Sequence, residues 1–284
     1  VFPGGGEGKP RYKLFLSEKK KNGVIPNSWW DSIASNQEAT IEVKSLFDGK
    51  SYFDFPKPVD LIKLIIELST SDSDIVLDFF SGSATTAHSV LDYNAMEGGQ
   101  RKFIMVQLPE EIDSSTPAFK NGYRNICELG KERIRRAAKK IKEETNSDID
   151  FGFRVYRLDS SNMQDVYYKP QNYDQNNLDL FRDNVKSDRM ADDLLAQVML
   201  DWGLPLSLKI DQVDVLGKKV FKVAENSLYA CFDSGIDEDF AKAIAQDEPL
   251  RIVFKDSGFK NDTAKTNVKQ LLKQLSPETE MKVI

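Results

Sequence analysis

The chain has 284 residues, enough for one large or two moderate domains, with 40% hydrophobic and 30% charged residues in the ordinary globular range. Two isolated cysteines and a single histidine, His88, argue against a metal site, a disulfide framework and histidine-based catalysis, and make a reducing cytoplasm the default expectation. No segment reads as a signal peptide or a membrane span, and the net charge of −6 hides a segregation: residues 9–21 and 119–142 are basic, about 146–201 acidic.

Taken in order, Gly4-Gly5-Gly6 is a loose start, and a chain beginning at Val1 suggests a fragment or processed form. Arg11–Leu16 alternates like a short strand, and Lys19–Gly23 reads as an exposed turn. Trp29 and Trp30 suit packing against a core better than base stacking, since no phosphate-binding pattern accompanies them. Phe53–Pro58 leads into a helix: Pro56 and Pro58 hold the approach extended, and Pro58 is tolerated where its missing N–H would be unpaired anyway. Leu61, Ile62, Ile65, Ile66 and Leu68 give that helix a broad apolar face.

Ile75–Phe80 is an apolar run suited to a buried strand. It breaks at Ser81-Gly82-Ser83, and a helix pattern resumes over about 84–97, closed by Gly98-Gly99. Lys102–Leu108 is the next strand, so the three elements form a βαβ unit with parallel pairing. In such a unit a ligand lies across the carboxyl end of the first strand. Small residues permit close backbone approach, the helix N-terminus offers unpaired N–H groups to an anion, and Asp78 supplies a carboxylate for an ammonium or hydroxyl. An ordinary βα turn, in which Gly82 only permits positive φ, is the alternative. The position that usually presents an acid to a ribose holds Gln107, with Glu110 beyond it.

Residues 119–143 read as a long basic helix, suited either to a phosphate backbone or to a solvated face between domains. Glu144–Asp148 is the expected domain boundary. Beyond it come a strand at Phe153–Leu158, a polar loop at about 159–177 and a helix at about 188–201. A hairpin follows around Glu225-Asn226-Ser227, then a helix at 237–246, a strand at Leu250–Phe254, a helix at about 262–275 and a strand at Met281–Ile284. No phosphate loop occurs in this half, and an interaction domain is the natural reading.

The order of motifs resembles the C-terminal part of amino-methylating DNA methyltransferases, especially the methylation subunits of type III restriction-modification systems. Phe55-Pro56-Lys57-Pro58 is similar to that family's Lys-Pro motif, and Asp78–Thr86 to its Asp-x-Phe-x-Gly-Ser-Gly-Thr-Thr motif. Phe103–Glu110 resembles the second cofactor strand, Glu132–Ala137 the helix that follows, and Phe151–Val155 with Ile252–Asp256 the C-terminal region.

The resemblance implies an α/β fold: an incomplete Rossmann-like methyltransferase domain with a C-terminal α/β domain. It implies S-adenosylmethionine as cofactor and adenine N6 of double-stranded DNA as methyl acceptor. It also implies a restriction (helicase/nuclease) subunit as partner, and leaves homodimerisation open. The domains expected are a remnant of the target-recognition region at 1–50, a cofactor-binding part at 51–145 and an interaction domain at 146–284. The cofactor residues implied are Phe55, Lys57, Pro58, Asp78, Phe80, Ser81, Gly82, Ser83, Thr85, Thr86 and Gln107.

Three departures stand out. Ala84 replaces the motif's second glycine, which a helical φ would make harmless, and Gln107 replaces an acid. No Asp-Pro-Pro-Tyr-type quartet occurs, and the chain has no Pro-Pro at all, so no residue that would hold the flipped base is assigned. Isolated, such a segment is expected to be inactive. The single glycine of the loop disfavours a dinucleotide and an oxidoreductase, and a binding module without chemistry is the remaining alternative.

Overall fold

A computed structural model describes residues 26, 28–30, 33–164 and 184–284. The expected strand at Arg11–Leu16, the turn at Lys19–Gly23 and much of the polar loop at 159–177 lie outside the described residues. The chain divides into two compact units, Val1–Val155 and Tyr156–Ile284.

The first unit opens with α1 (Asn36–Leu46), a helix the sequence reading did not anticipate. Ser35 and Glu38 form a reciprocal capping box at its start, satisfying two otherwise orphan N–H groups. Trp29 is largely exposed and Trp30 partly so, and neither is buried in a core as expected.

Then come α2 (Val59–Ser69), β1 (Ile75–Asp78), α3 (Thr85–Glu97), β2 (Lys102–Met105), the single turn α4 (Pro117–Lys120) and α5 (Ile126–Thr145). The βαβ unit is as expected: β1 pairs parallel with β2, Val76 opposite Phe103 and Asp78 opposite Met105. The expected long helix at 119–143 is instead α4, a bend and α5.

One face of this two-stranded sheet packs on the helices through Phe103 and Met105, which join a core built from Val43, Phe47, Ala87, Leu91, Leu129 and Ile134. The other face is open. Ile75, Leu77 and Ile104 are each about half exposed, as are Ile65 and Leu68 on α2, so the expected fully buried strand is buried on one side only. Purely parallel sheets are normally covered on both faces.

The basic helix is also not what its composition suggested. Leu129, Arg133, Ile134, Ala137 and Ile141 line its buried face. Arg136 is held by Glu132 and Asp48, Lys139 faces Glu143 and Lys140 faces Glu144. Local carboxylates therefore neutralise much of the charge that pointed to a polyanion.

The second unit contains α6 (Ala191–Asp201), β3 (Ile210–Val215), β4 (Lys218–Val223), β5 (Leu228–Cys231), α7 (Glu238–Ala245), β6 (Arg251–Phe254), α8 (Asp262–Leu275) and β7 (Glu280–Val283). Its sheet has the order β3-β4-β5-β6-β7. The first three strands are antiparallel and the last three parallel, which fits hairpin links followed by two helical crossovers. The expected strand at Phe153–Leu158 is absent: these residues take no regular structure. The strand β3, by contrast, was unanticipated, because its Asp-rich alternation reads as polar.

The register of the βαβ unit is pinned by Asn94 near the end of α3. Its amide donates to the Arg101 carbonyl at 2.8 Å and accepts from the Arg101 N–H at 3.2 Å, replacing a missing backbone partner just before β2. Asn94→Ala leaves both backbone groups buried and unpaired, and is expected to cost about 2–3 kcal/mol in urea unfolding.

Candidate functional site

The candidate site lies at the carboxyl end of β1. The strand stops at Asp78, and the chain turns through Phe79–Ala84 into α3. Asp78 sets the turn: one carboxylate oxygen accepts from the Phe80 N–H at 3.1 Å, the other from the Thr86 hydroxyl at 2.7 Å. An aspartate bonding two residues onward is a local turn device, and the Thr86 bond adds a clamp from the first turn of α3. Phe79 and Phe80 are thereby turned outward, edge to face on each other, and Phe80 is 86% exposed.

Two further contacts fix the middle of the turn. The Ser81 N–H donates to the Val106 carbonyl at 3.2 Å, tying the turn to the chain just past β2. The Gly82 N–H donates to the Gln107 side-chain carbonyl at 2.8 Å, and the Gln107 amide donates to the Leu108 carbonyl. Cys127, at the start of α5, points its thiol at the carbonyls of Gln107 and Leu108. Burial raises that thiol's pKa, so the Cys127 sulfur serves as a neutral donor.

Gly82 has φ +46°, and a Cβ there would approach only the Phe80 carbonyl, at 3.8 Å. The glycine is required by backbone conformation, not by crowding. Ala84 is the correction to the sequence reading. Its φ of 57° and ψ of 36° are left-handed, not helical, in a side chain only 2% exposed. An L-residue there carries roughly 1–2 kcal/mol of strain that glycine would avoid, so the turn is held against its own preference. Gly130 of α5 packs beside the turn: a Cβ at that position would sit 3.5 Å from both the Ala84 methyl and the Gly82 carbonyl, an ordinary contact distance.

Among the described residues α3 has no side-chain cap and no acceptor for its first N–H groups; the first to bond back is that of His88, to the Ala84 carbonyl. Beside the turn, a groove of about 320 Å³ is lined by Ile62, Ile66, Leu77, Asp78, Phe80 and Thr86, among others. Its volume is at the lower end of small-molecule sites.

Asp78, Phe80, Ser81, Gly82, Ser83, Thr85, Thr86 and Gln107 thus converge on one turn. Phe55, Lys57 and Pro58 stand apart, at the approach to α2. They are linked to the turn indirectly, by the Ser89 hydroxyl, which bonds to the Val59 carbonyl at 3.3 Å and the Thr85 carbonyl at 2.9 Å. Phe55 (φ 53°) and Lys57 are exposed, and neither makes a hydrogen bond to the turn among the described residues. Gln107 sits within the turn's bracing and still keeps one amide hydrogen and a second carbonyl lone pair.

Sequence reasoning passed over Arg133, Glu42 and Cys127. For Arg133 a signal existed: it shares its helix face with Leu129, Ile134, Ala137 and Ile141, an odd place for a guanidinium. Glu42 accepts from the Val59 N–H at 3.4 Å, and burial raises its pKa. Among the described residues no group of His, Cys, Asp and Glu could hold a metal, and no helix is long and apolar enough to cross a membrane.

His88, 6% exposed on α3, has its pKa pushed down to about 3 by burial and, secondarily, by the charge of Arg133. Its Nδ1 has no partner among the described residues. From pH 6.5 down to about 3 the unfolded chain takes up a proton that the folded chain refuses, so His88 lowers stability as pH falls through that range. Glu42, with its raised pKa, acts in the opposite sense, so the His88 contribution is read from a variant. Between pH 7 and pH 5 the stability of the natural chain should fall by about 2 kcal/mol relative to His88→Gln in urea titrations at both pH values.

Residues 7–115 match the family model described as DNA methylase. The Mod subunit of the type III restriction-modification enzyme StyLTI, from Salmonella typhimurium, is 41% identical over 160 residues, covering 55% of this chain and 24% of that protein. The EcoPI Mod subunit of Escherichia phage P1 is 30% identical over 275 residues, covering 90% of this chain and 40% of that protein. The EcoP15I Mod subunit of Escherichia coli is 34% identical over 239 residues, covering 78% and 34%. The chain therefore spans between 24% and 40% of the length of these relatives.

Proposed function

For a DNA-methylase chain that is Mod-like over most of its length, we propose that the Asp78–Thr86 turn binds S-adenosylmethionine, as part of a type III modification subunit acting on adenine N6 of double-stranded DNA. The observation that carries this reading is the turn itself: a strand-end carboxylate, a left-handed Gly82 and an uncapped helix presented together in a chain related to Mod subunits.

The residues suit the molecule in kind. Asp78 keeps free lone pairs for an ammonium beyond those used by Phe80 and Thr86. The open N–H groups of α3 suit a carboxylate. Phe80, largely exposed, offers a ring face to a sulfonium or an adenine. Gln107 retains one donor and one acceptor for a ribose, with Glu110 exposed beyond it. Phe55, Lys57 and Pro58 complete the set from the approach to α2.

The ligand supplies an electrophilic methyl group on a sulfur that is already a good leaving group. What remains for the chain is to bind, orient and shield it. Nothing in the 284 residues supplies the Pro-Pro-containing quartet that would hold the acceptor base, so the chain alone is proposed to bind the donor without methylating DNA. The second unit, with no motif of this chemistry, is proposed as the interaction domain toward the restriction subunit.

Calorimetry with S-adenosylmethionine, S-adenosylhomocysteine and NAD tests the reading. Binding of the first two is expected. Binding of NAD alone would make the chain an oxidoreductase, and binding of none a module without chemistry. Gly82→Val, which forces a β-branched residue into left-handed backbone, should weaken binding at least roughly tenfold in a chain that still unfolds cooperatively. Labelled methyl should not pass from the cofactor to DNA with this chain alone, and its transfer would refute the assignment of inactivity.

A further inference from the structure

Arg133 is wholly buried, with 0% exposure, and none of its nitrogens meets a carboxylate among the described residues. Its Nη1 makes three contacts with the turn: the Ser83 carbonyl at 3.2 Å, the Ser83 hydroxyl at 2.9 Å and the Thr85 hydroxyl at 2.7 Å. Its Nε and Nη2 have no partner among the described residues. A guanidinium buried this way is costly, and a well-packed apolar residue would serve a purely structural core at least as well.

The location of the grip gives the cost a use. Ser83 and Thr85 flank Ala84, whose left-handed conformation starts α3 in the direction it takes. The two hydroxyls also touch each other, at 3.1 Å. One nitrogen on α5 therefore holds both sides of the strained residue. Three residues earlier on the same helix, Gly130 packs beside the Ala84 methyl and the Gly82 carbonyl. Burial draws the pKa of Arg133 down to about 10, partly offset by Glu42, so the group stays cationic at neutral pH.

We infer that Arg133 is a positioning residue, which acts through Ser83 and Thr85 to aim the open N-terminus of α3 at the carboxylate of the bound ligand. This rests on the S-adenosylmethionine reading above. Being fully buried, Arg133 itself touches no ligand. Its effect belongs to the amino-acid arm of the cofactor, not to its adenosine.

That division sets the experiment. The full 284-residue chain and the variants Arg133→Lys, Ser83→Ala and Thr85→Val are titrated with S-adenosylmethionine and with 5′-methylthioadenosine, which keeps the adenosine and sulfur but lacks the amino-acid arm. Arg133→Lys should weaken S-adenosylmethionine at least roughly tenfold while changing 5′-methylthioadenosine less than about twofold. Adding Arg133→Lys to the Ser83→Ala, Thr85→Val pair should cost less than it does alone, because the contacts are shared. Equal losses on both ligands would reduce Arg133 to a core support, and unchanged S-adenosylmethionine binding would refute its role outright. If Arg133→Lys does not fold, Arg133→Met, an apolar side chain suited to the buried position, carries the same ligand comparison. Failure of the natural chain to bind S-adenosylmethionine would instead overturn the cofactor reading.

Discussion

The first unit depends on a turn held against its own conformational preference. Ala84 takes a left-handed conformation that alanine disfavours, and it does so where β1 must hand over to α3. The restraints come from different parts of the chain: Asp78 from the strand before it, Thr86 from the helix after it, Gln107 from beyond β2 and Arg133 from α5. No local segment could impose this geometry alone. It exists only when the βαβ unit and the long helix have assembled around it.

That arrangement explains why polar groups are spent so freely in a small core. Arg133, Glu42, His88, Ser89 and Thr85 meet where the starts of α2 and α3 approach α5. Several of their atoms have unsatisfied hydrogen-bonding capacity among the described residues. A core selected only for stability would have replaced them with apolar side chains. Retaining them fits a site whose backbone must be placed to within fractions of an ångström for a ligand's charged groups.

The open sheet face carries a different lesson. Ile75, Leu77 and Ile104 leave half their surface to solvent, yet their composition is that of a strand covered on both sides. The expectation of a buried strand therefore holds for one face of β1 only. The basic helix shows the converse. Its composition suggested a polyanion surface, but a one-turn spacing to glutamates and a reach to Asp48 neutralise much of it.

By itself, the sequence determined the βαβ unit, the Gly98 helix stop, the hairpin and crossover elements of the second unit, and the cluster of small residues at the strand end. These are local matters of period, turn chemistry and breaker residues, each set by neighbours within a few positions. Two elements escaped it and one expected element is absent, for related reasons. The helix α1 has little apolar periodicity and is announced mainly by its cap, β3 alternates with aspartates, and Phe153–Leu158 has strand-like composition but no partner strand among the described residues. Only the tertiary structure decided that Ala84 is left-handed, that Gln107 braces the loop and that Arg133 grips it from 50 residues away. A backbone angle at one residue is a compromise between its own preference and the forces applied to it. Here those forces arrive from distant parts of the chain, which no reading of neighbouring residues could supply.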